Sequence, residues 1–228
     1  MSRALQSLFW RVHRQSRGQR AELFRRHLRP SPQDRILDVG GGYGDYFSTV
    51  VPFRENVWIA EIDAVILQRA REHGFQTALI STDGSLPFPD RHFDIVHCNS
   101  VVEHVLVPED RARLAAEIRR VGKSWFVQTP NRYFPIEPHS RLPLVQFLPR
   151  SFVRACLPYL KGIVGYQDEL QWRLLGAREF AALFPQSLLI RERLFGLTKS
   201  LVVIGGERLR PEPETCPASQ PMSPTSTA

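Results

Sequence analysis

Ile36-Leu37-Asp38-Val39-Gly40-Gly41-Gly42-Tyr43-Gly44-Asp45-Tyr46-Phe47 runs from an apolar stretch into four glycines and then into an aromatic-rich segment. This order reads as strand, loop, helix. Glycine at 40, 42 and 44 frees the backbone for positive φ and lets a ligand approach with no Cβ in the way. The helix that follows, read from Asp45 to Val51, aims its free N–H groups at that ligand. The spacing is Asp-x-Gly-x-Gly-x-Gly, led by Asp38. A Gly-x-Gly-x-x-Gly pattern needs glycine at 45, where this chain has Asp45, and a carboxylate at a helix start is a poor neighbour for a pyrophosphate.

On either side of this stretch the chain alternates strand and helix signals, as a doubly wound α/β sheet requires. Strands are expected at 35–39, 57–60, 77–80, 93–98 and 125–128, with helices at 64–73 and 100–121, the latter interrupted near Pro108. A helix at 176–184 precedes two strands, 188–194 and 201–204, that can pair antiparallel through a turn near Gly196. The sum is a mostly parallel seven-stranded sheet with an antiparallel last strand and helices on both faces. Three regions follow: a helical arm over 1–30, the domain over 31–208, and a proline-rich tail over 209–228 read as disordered. Within the domain, residues 131–175 hold five prolines and seven aromatics. A stretch that long without regular periodicity is expected to be functional, a lid or acceptor pocket.

The formal net charge is +7, and the arm accounts for all of it, with eight arginines against the single acid Glu22. The body is neutral in sum, which argues against a nucleic-acid groove across it. The arm reads as an amphipathic helix (Leu5, Leu8, Phe9, Val12, then Ala21, Phe24, Leu28) covering the sheet edge with its arginines solvated. A peripheral contact with an anionic membrane, Trp10 at the interface, is the alternative. Cys98, Cys156 and Cys216 show no C-x-x-C pair, so neither a disulfide framework nor a zinc knuckle is indicated, and a cytoplasmic setting fits. No H-E-x-x-H spacing occurs and no metal is expected.

Further motifs lie behind the glycines. Glu61 closes the second strand, where an acid in a doubly wound sheet can accept both hydroxyls of a ribose; Asp63 competes for that role or caps the next helix. Thr82-Asp83-Gly84-Ser85-Leu86-Pro87-Phe88-Pro89-Asp90 precedes Phe93-Asp94. Asn99-Ser100-Val101-Val102-Glu103-His104-Val105 stands at the next strand-to-helix junction, where Ser100 and Glu103 form S-x-x-E, read as a capping box. Gln128-Thr129-Pro130-Asn131 leads into Pro135-Ile136-Glu137-Pro138-His139.

Together these residues resemble the class I S-adenosylmethionine-dependent methyltransferases, and the type 11 methyltransferase domain in particular. The resemblance implies a Rossmann-like fold and S-adenosyl-L-methionine as cofactor, held by Asp38, Gly40, Gly42, Gly44, Glu61, Ile62, Asp83, Gly84 and Asn99. Asp83 is expected at the adenine amino group. His104, His139 and Glu137 are the candidate catalytic residues, needed as bases only if the acceptor is a hydroxyl. The expected activity is methyl transfer, by this reading O-methylation, to a small-molecule, lipid-linked or glycan acceptor. An RNA or protein methyltransferase, or a non-enzymatic cofactor- or membrane-binding assembly protein, is the alternative. Oligomeric state is not readable.

Overall fold

The computed structural model describes residues 3–160 and 171–209. The tail from Arg210, Cys216 and the middle of the proline-rich segment lie outside the described residues, as do the side chains of the arm's first residues, Trp10 included.

The seven-stranded sheet has the order β3-β2-β1-β4-β5-β7-β6, with β1 at Ile36–Val39, β2 at Val57–Glu61, β3 at Gln76–Leu79, β4 at Ile95–Asn99, β5 at Ser124–Pro130, β6 at Leu188–Leu194 and β7 at Leu197–Gly206. Only β7 runs against the rest. Phe195 and Gly196 turn β6 into β7 with φ of 50° and 79°, the twist a two-residue hairpin loop demands. Because side chains alternate across a strand, each central strand feeds two cores. Leu37, Val96, Val127 and Val203 face one, against α4 (Pro108–Val121) and α6 (Ala177–Leu183). Ile36, Ile95, Phe126 and Val202 face the other, against α1 (Arg3–Leu28) and α3 (Ala64–Glu72). Helices therefore cover both faces.

The segment after the glycines is shorter than expected, since α2 is one turn, Phe47–Val50, capped by no side chain. Residues 131–175 are not a bare loop either, because Arg150–Leu160 forms α5. Among the described residues no helix is long and apolar enough to cross a membrane.

The arm docks through Ala21, Phe24 and Leu28, all buried, and ends where Arg29 takes a positive φ before Pro30. Its arginines are not all solvated. Arg20 is buried and spans three strand ends: Nε donates to both Glu192 oxygens at 3.1 Å, and Nη1 donates to Asn99 Oδ1 at 2.8 Å and Gln128 Oε1 at 3.2 Å. Four acceptors from β4, β5 and β6 give a guanidinium more than water-facing charge would, since hydrogen bonds to charged groups are the strong ones.

Candidate active site

A cavity of about 520 Å³ opens at the carboxyl ends of β1, β2 and β4, where ligands of doubly wound sheets sit. Gly40, Glu61, Ile62, Ile80, Gly84, Ser100 and His104 are among its lining residues. Gly40 has φ 68°, and a Cβ there would lie 2.3 Å from Val101 Cγ2, so no other residue fits that turn. Gly44 is small for a different reason: a Cβ would strike the Phe75 ring at 2.2 Å.

Glu61 holds the loop as well as the cavity wall. Its Oε1 accepts from the Gly42 N–H at 3.0 Å and its Oε2 from the Ile62 N–H at 3.2 Å. Burial raises its carboxyl above the usual range, against the lowering pull of those two N–H groups. Each oxygen keeps a lone pair for a further donor. Asp63 instead caps α3, accepting from the Val65 N–H, which separates the two acids that the sequence left in competition.

Five expected cofactor residues do not line the cavity: Gly42 and Gly44 of the loop, and three side chains that are engaged elsewhere. Asp38 sits behind the loop, buried, with its Oδ1 2.6 Å from His97 Nδ1. Asp83 closes a turn onto the Ser85 N–H and hydroxyl and pairs with Arg113 at 3.2 Å. Asn99 is engaged by Arg20. All three shape the walls from outside.

The expected capping box does not form. Ser100 has φ 58° and donates its hydroxyl to Gln128 Oε1 at 2.9 Å, while a 3₁₀ turn, Val102–His104, starts with Val101 at its cap. Glu103 is thereby turned inward and fully buried. Thr129 donates to its Oε2 at 2.9 Å, and its Oε1 has no partner. Burial raises its carboxyl above the ordinary range.

His104 and His139, separate in sequence, meet edge to face with ring centroids 4.9 Å apart. Residues 135–144 form a closed loop that delivers His139: the Leu144 N–H returns to Pro135 O and the Glu137 N–H to Leu142 O. Glu137 is fully buried and accepts from His139 Nδ1 at 2.6 Å and from the backbone N–H groups of His139 and Ser140. Burial alone would raise its carboxyl, but those donors outweigh it and hold it below the usual range. Trp172 stacks on the other face of His139, and His104 Nδ1 lies 2.9 Å from Gln171 O. The structure thus brings all three expected catalytic residues together, and adds Glu103, which sequence spacing had assigned to a cap.

A second cavity of about 420 Å³ adjoins the first at Leu106. Arg132, Arg150 and Arg173 line it together with Trp172, Leu148 and Val153.

Residues 37–124 match a family described as a methyltransferase domain. Over these residues the chain is similar to that domain family. The match holds the glycine loop, Glu61, Glu103 and His104, but stops short of Glu137 and His139 and excludes the arm. A protein of Mycobacterium tuberculosis is 30% identical over 87 residues, 38% of this chain and 29% of that protein. A ubiquinone/menaquinone biosynthesis C-methyltransferase, UbiE, of Ectopseudomonas mendocina is 30% identical over 101 residues, 40% of each. The alignment thus spans less than half the length of these relatives. A solved S-adenosylmethionine-dependent methyltransferase of Thermotoga maritima superposes with a TM-score of 0.55 at 16% identity, over 89% of this chain and 94% of that one. A protein of Pyrococcus horikoshii gives 0.55 at 18% identity, over 83% and 89%. At such identities the two structures show the fold alone.

Proposed function

We propose that this chain transfers a methyl group from S-adenosylmethionine to a small acceptor with an ionisable hydroxyl on an apolar, anionic body, such as a lipid-linked or glycan precursor. The observation that carries the reading is a single cavity lined by Gly40, Glu61 and His104 together. The residues suit the cofactor: Glu61 offers free lone pairs to a pair of ribose hydroxyls, and exposed Ile62 supplies an apolar shelf for a flat ring.

When bound, S-adenosylmethionine supplies a methyl group on sulfur whose departure leaves a neutral thioether, so no residue need protonate a leaving group. The chain's task is to fix the acceptor in line with that carbon, and orientation of this kind is worth up to about 7–11 kcal/mol. The cluster of Glu103, His104 and His139 receives the reacting hydroxyl, with Glu137 holding the His139 ring in place. Arg132, Arg150 and Arg173 hold the anionic body beside Trp172. Transfer to oxygen, and transfer to a ring carbon activated by a neighbouring ionised hydroxyl, begin with the same deprotonation. The name of the Ectopseudomonas relative supports the second.

Calorimetry with S-adenosylmethionine tests the cofactor half. Glu61→Ala removes two hydrogen bonds to a charged acceptor, each about 1.5–3 kcal/mol, so affinity should fall by about a hundredfold or more; an unchanged affinity refutes the assignment. Incubation with methyl-labelled cofactor and fractionated cell extract tests the other half. Label should enter lipid or glycan fractions, and label confined to soluble amines contradicts the acceptor class.

A further inference from the structure

Beside the cofactor wall stand three polar side chains whose free atoms are all electron-pair donors. One potential ligand atom from each of Glu103, His104 and His139 lies within 4.8 Å of the others. Each ring is oriented through its Nδ1. His139 Nδ1 is held by the Glu137 carboxylate and His104 Nδ1 by the Gln171 carbonyl. Both partners are pure acceptors, so each ring donates from Nδ1, which leaves Nε2 as the ring nitrogen that can serve as a metal ligand. The third member, Glu103 Oε1, is buried with no hydrogen-bond partner among the described residues, although Thr129 satisfies the other oxygen. Lone pairs brought together with no donor among them repel, and an unpartnered buried carboxylate oxygen is costly. A shared cation relieves both.

We propose that Glu103, His104 and His139 bind one divalent transition-metal ion of the zinc type. Two imidazoles and one carboxylate form a three-ligand site with an open position, the arrangement that leaves room for a substrate oxygen. Magnesium and calcium, which demand oxygen ligands, suit it poorly. The outer shell is that of a built site: a carboxylate behind one ring and a backbone carbonyl behind the other, fixing tautomer and direction. Metal–nitrogen bonds of about 2.0–2.1 Å around a tetrahedral centre put ligand atoms about 3.3 Å apart. From within 4.8 Å of one another, the three ligand atoms reach that by drawing in by about 1.5 Å at most. Ligands adjacent in sequence on a 3₁₀ turn, joined by a third from a loop beyond β5, escape any fixed-spacing motif.

Binding of the ion stands independently of methyl transfer, but its role there rests on the functional reading above. At the open position it takes the acceptor's hydroxyl oxygen. The O–H bond breaks, the proton passes to water, and the electron pair stays on the metal-bound oxygen, ready to attack carbon directly or through a conjugated ring.

The test uses the full chain, freed of any affinity tag and stripped with a chelator, with neither S-adenosylmethionine nor acceptor present. Cobalt(II) is titrated by visible absorption and zinc by calorimetry. One ion per chain is expected, with no displacement by excess magnesium. Glu103→Gln and His104→Ala should each weaken zinc by more than about tenfold, a loss that outer-shell partners alone can produce. His73→Ala, on an exposed ring paired with Asp45, should change nothing. Thermal melts check folding, and His104, being exposed, decides the case if Glu103→Gln unfolds. No uptake by folded protein, or uptake that survives His104→Ala, overturns the site. Because no cofactor enters the titration, such a failure leaves methyl transfer untouched, and inactivity of a metal-loaded chain would count against methyl transfer alone.

Discussion

Asp38–His97 and Glu137–His139 are the same pair twice, a carboxylate oxygen 2.6 Å from imidazole Nδ1, in two different settings. His97 is buried among aromatic rings: it stacks on Phe126 with centroids 5.6 Å apart and meets Phe24 edge-on at 5.5 Å. Its Nε2 has no partner. His139 also stacks on a ring, Trp172, but it meets His104, which lines the cavity, edge to face. A carboxylate orients an imidazole equally well in both places. What surrounds the ring differs: aromatic rings enclose His97 beside Asp38, whereas His139 beside Glu137 meets His104 of the candidate site.

The largest expected effect separates them by stability. His97→Leu leaves Asp38 buried without its donor and should cost about 3–5 kcal/mol in urea unfolding; a cost no larger than that of the matching change at 139 would break the distinction. His139→Leu comes next and should show the reverse profile. Glu137 retains the N–H groups of His139 and Ser140, so stability falls by only about 1 kcal/mol. Turnover, read from labelled methyl at saturating cofactor, drops about a hundredfold, as for loss of a group that handles the acceptor's proton.

The smallest effect comes from a carboxylate paired with arginine. Asp34 accepts from Arg208 at 2.9 Å, and although burial raises its carboxyl, Arg208 and the Ser31 N–H hold it below the usual range. A lowered folded value stabilises above the unfolded value of about 3.9 and loses that contribution as pH falls through the folded one. Asp34→Asn should therefore flatten the acid limb of a stability-against-pH curve, by at most about 1 kcal/mol for a pair partly open to solvent. A limb unchanged in shape would remove Asp34–Arg208 as the reference for the two histidine pairs.

The cofactor wall was readable because its causes are local. Gly40, Gly42 and Gly44 all take positive φ, and Glu61 ends its strand where an apolar run meets an acid. The mostly parallel sheet and its antiparallel last strand were legible in the alternation and the turn near Gly196, whereas the strand order was seen only in the structure. Glu103 was misread because S-x-x-E is a cap only if Ser100 is extended, and here Ser100 is left-handed and bonded to Gln128. The residue that claims Glu103, Thr129, lies on another strand. Arg20 could not be told from its seven fellow arginines, since its acceptors Asn99, Gln128 and Glu192 come from the far reaches of the chain. Asp83 closes its own turn, accepting from Ser85 two residues on, a local contact that the sequence alone could suggest.

The way Arg20 is held makes the arm a part with a phase. Phe24 and Leu28 are sunk in the core and set the rotation of α1, while Arg20 must point at three strand ends at once. One residue inserted between Arg20 and Phe24 would swing the guanidinium by about 100° around the helix axis, leaving Glu192, Asn99 and Gln128 facing hydrocarbon or water. The arm, lying wholly outside the matched domain, can vary in sequence upstream of this point, but it cannot slip by a single position below it.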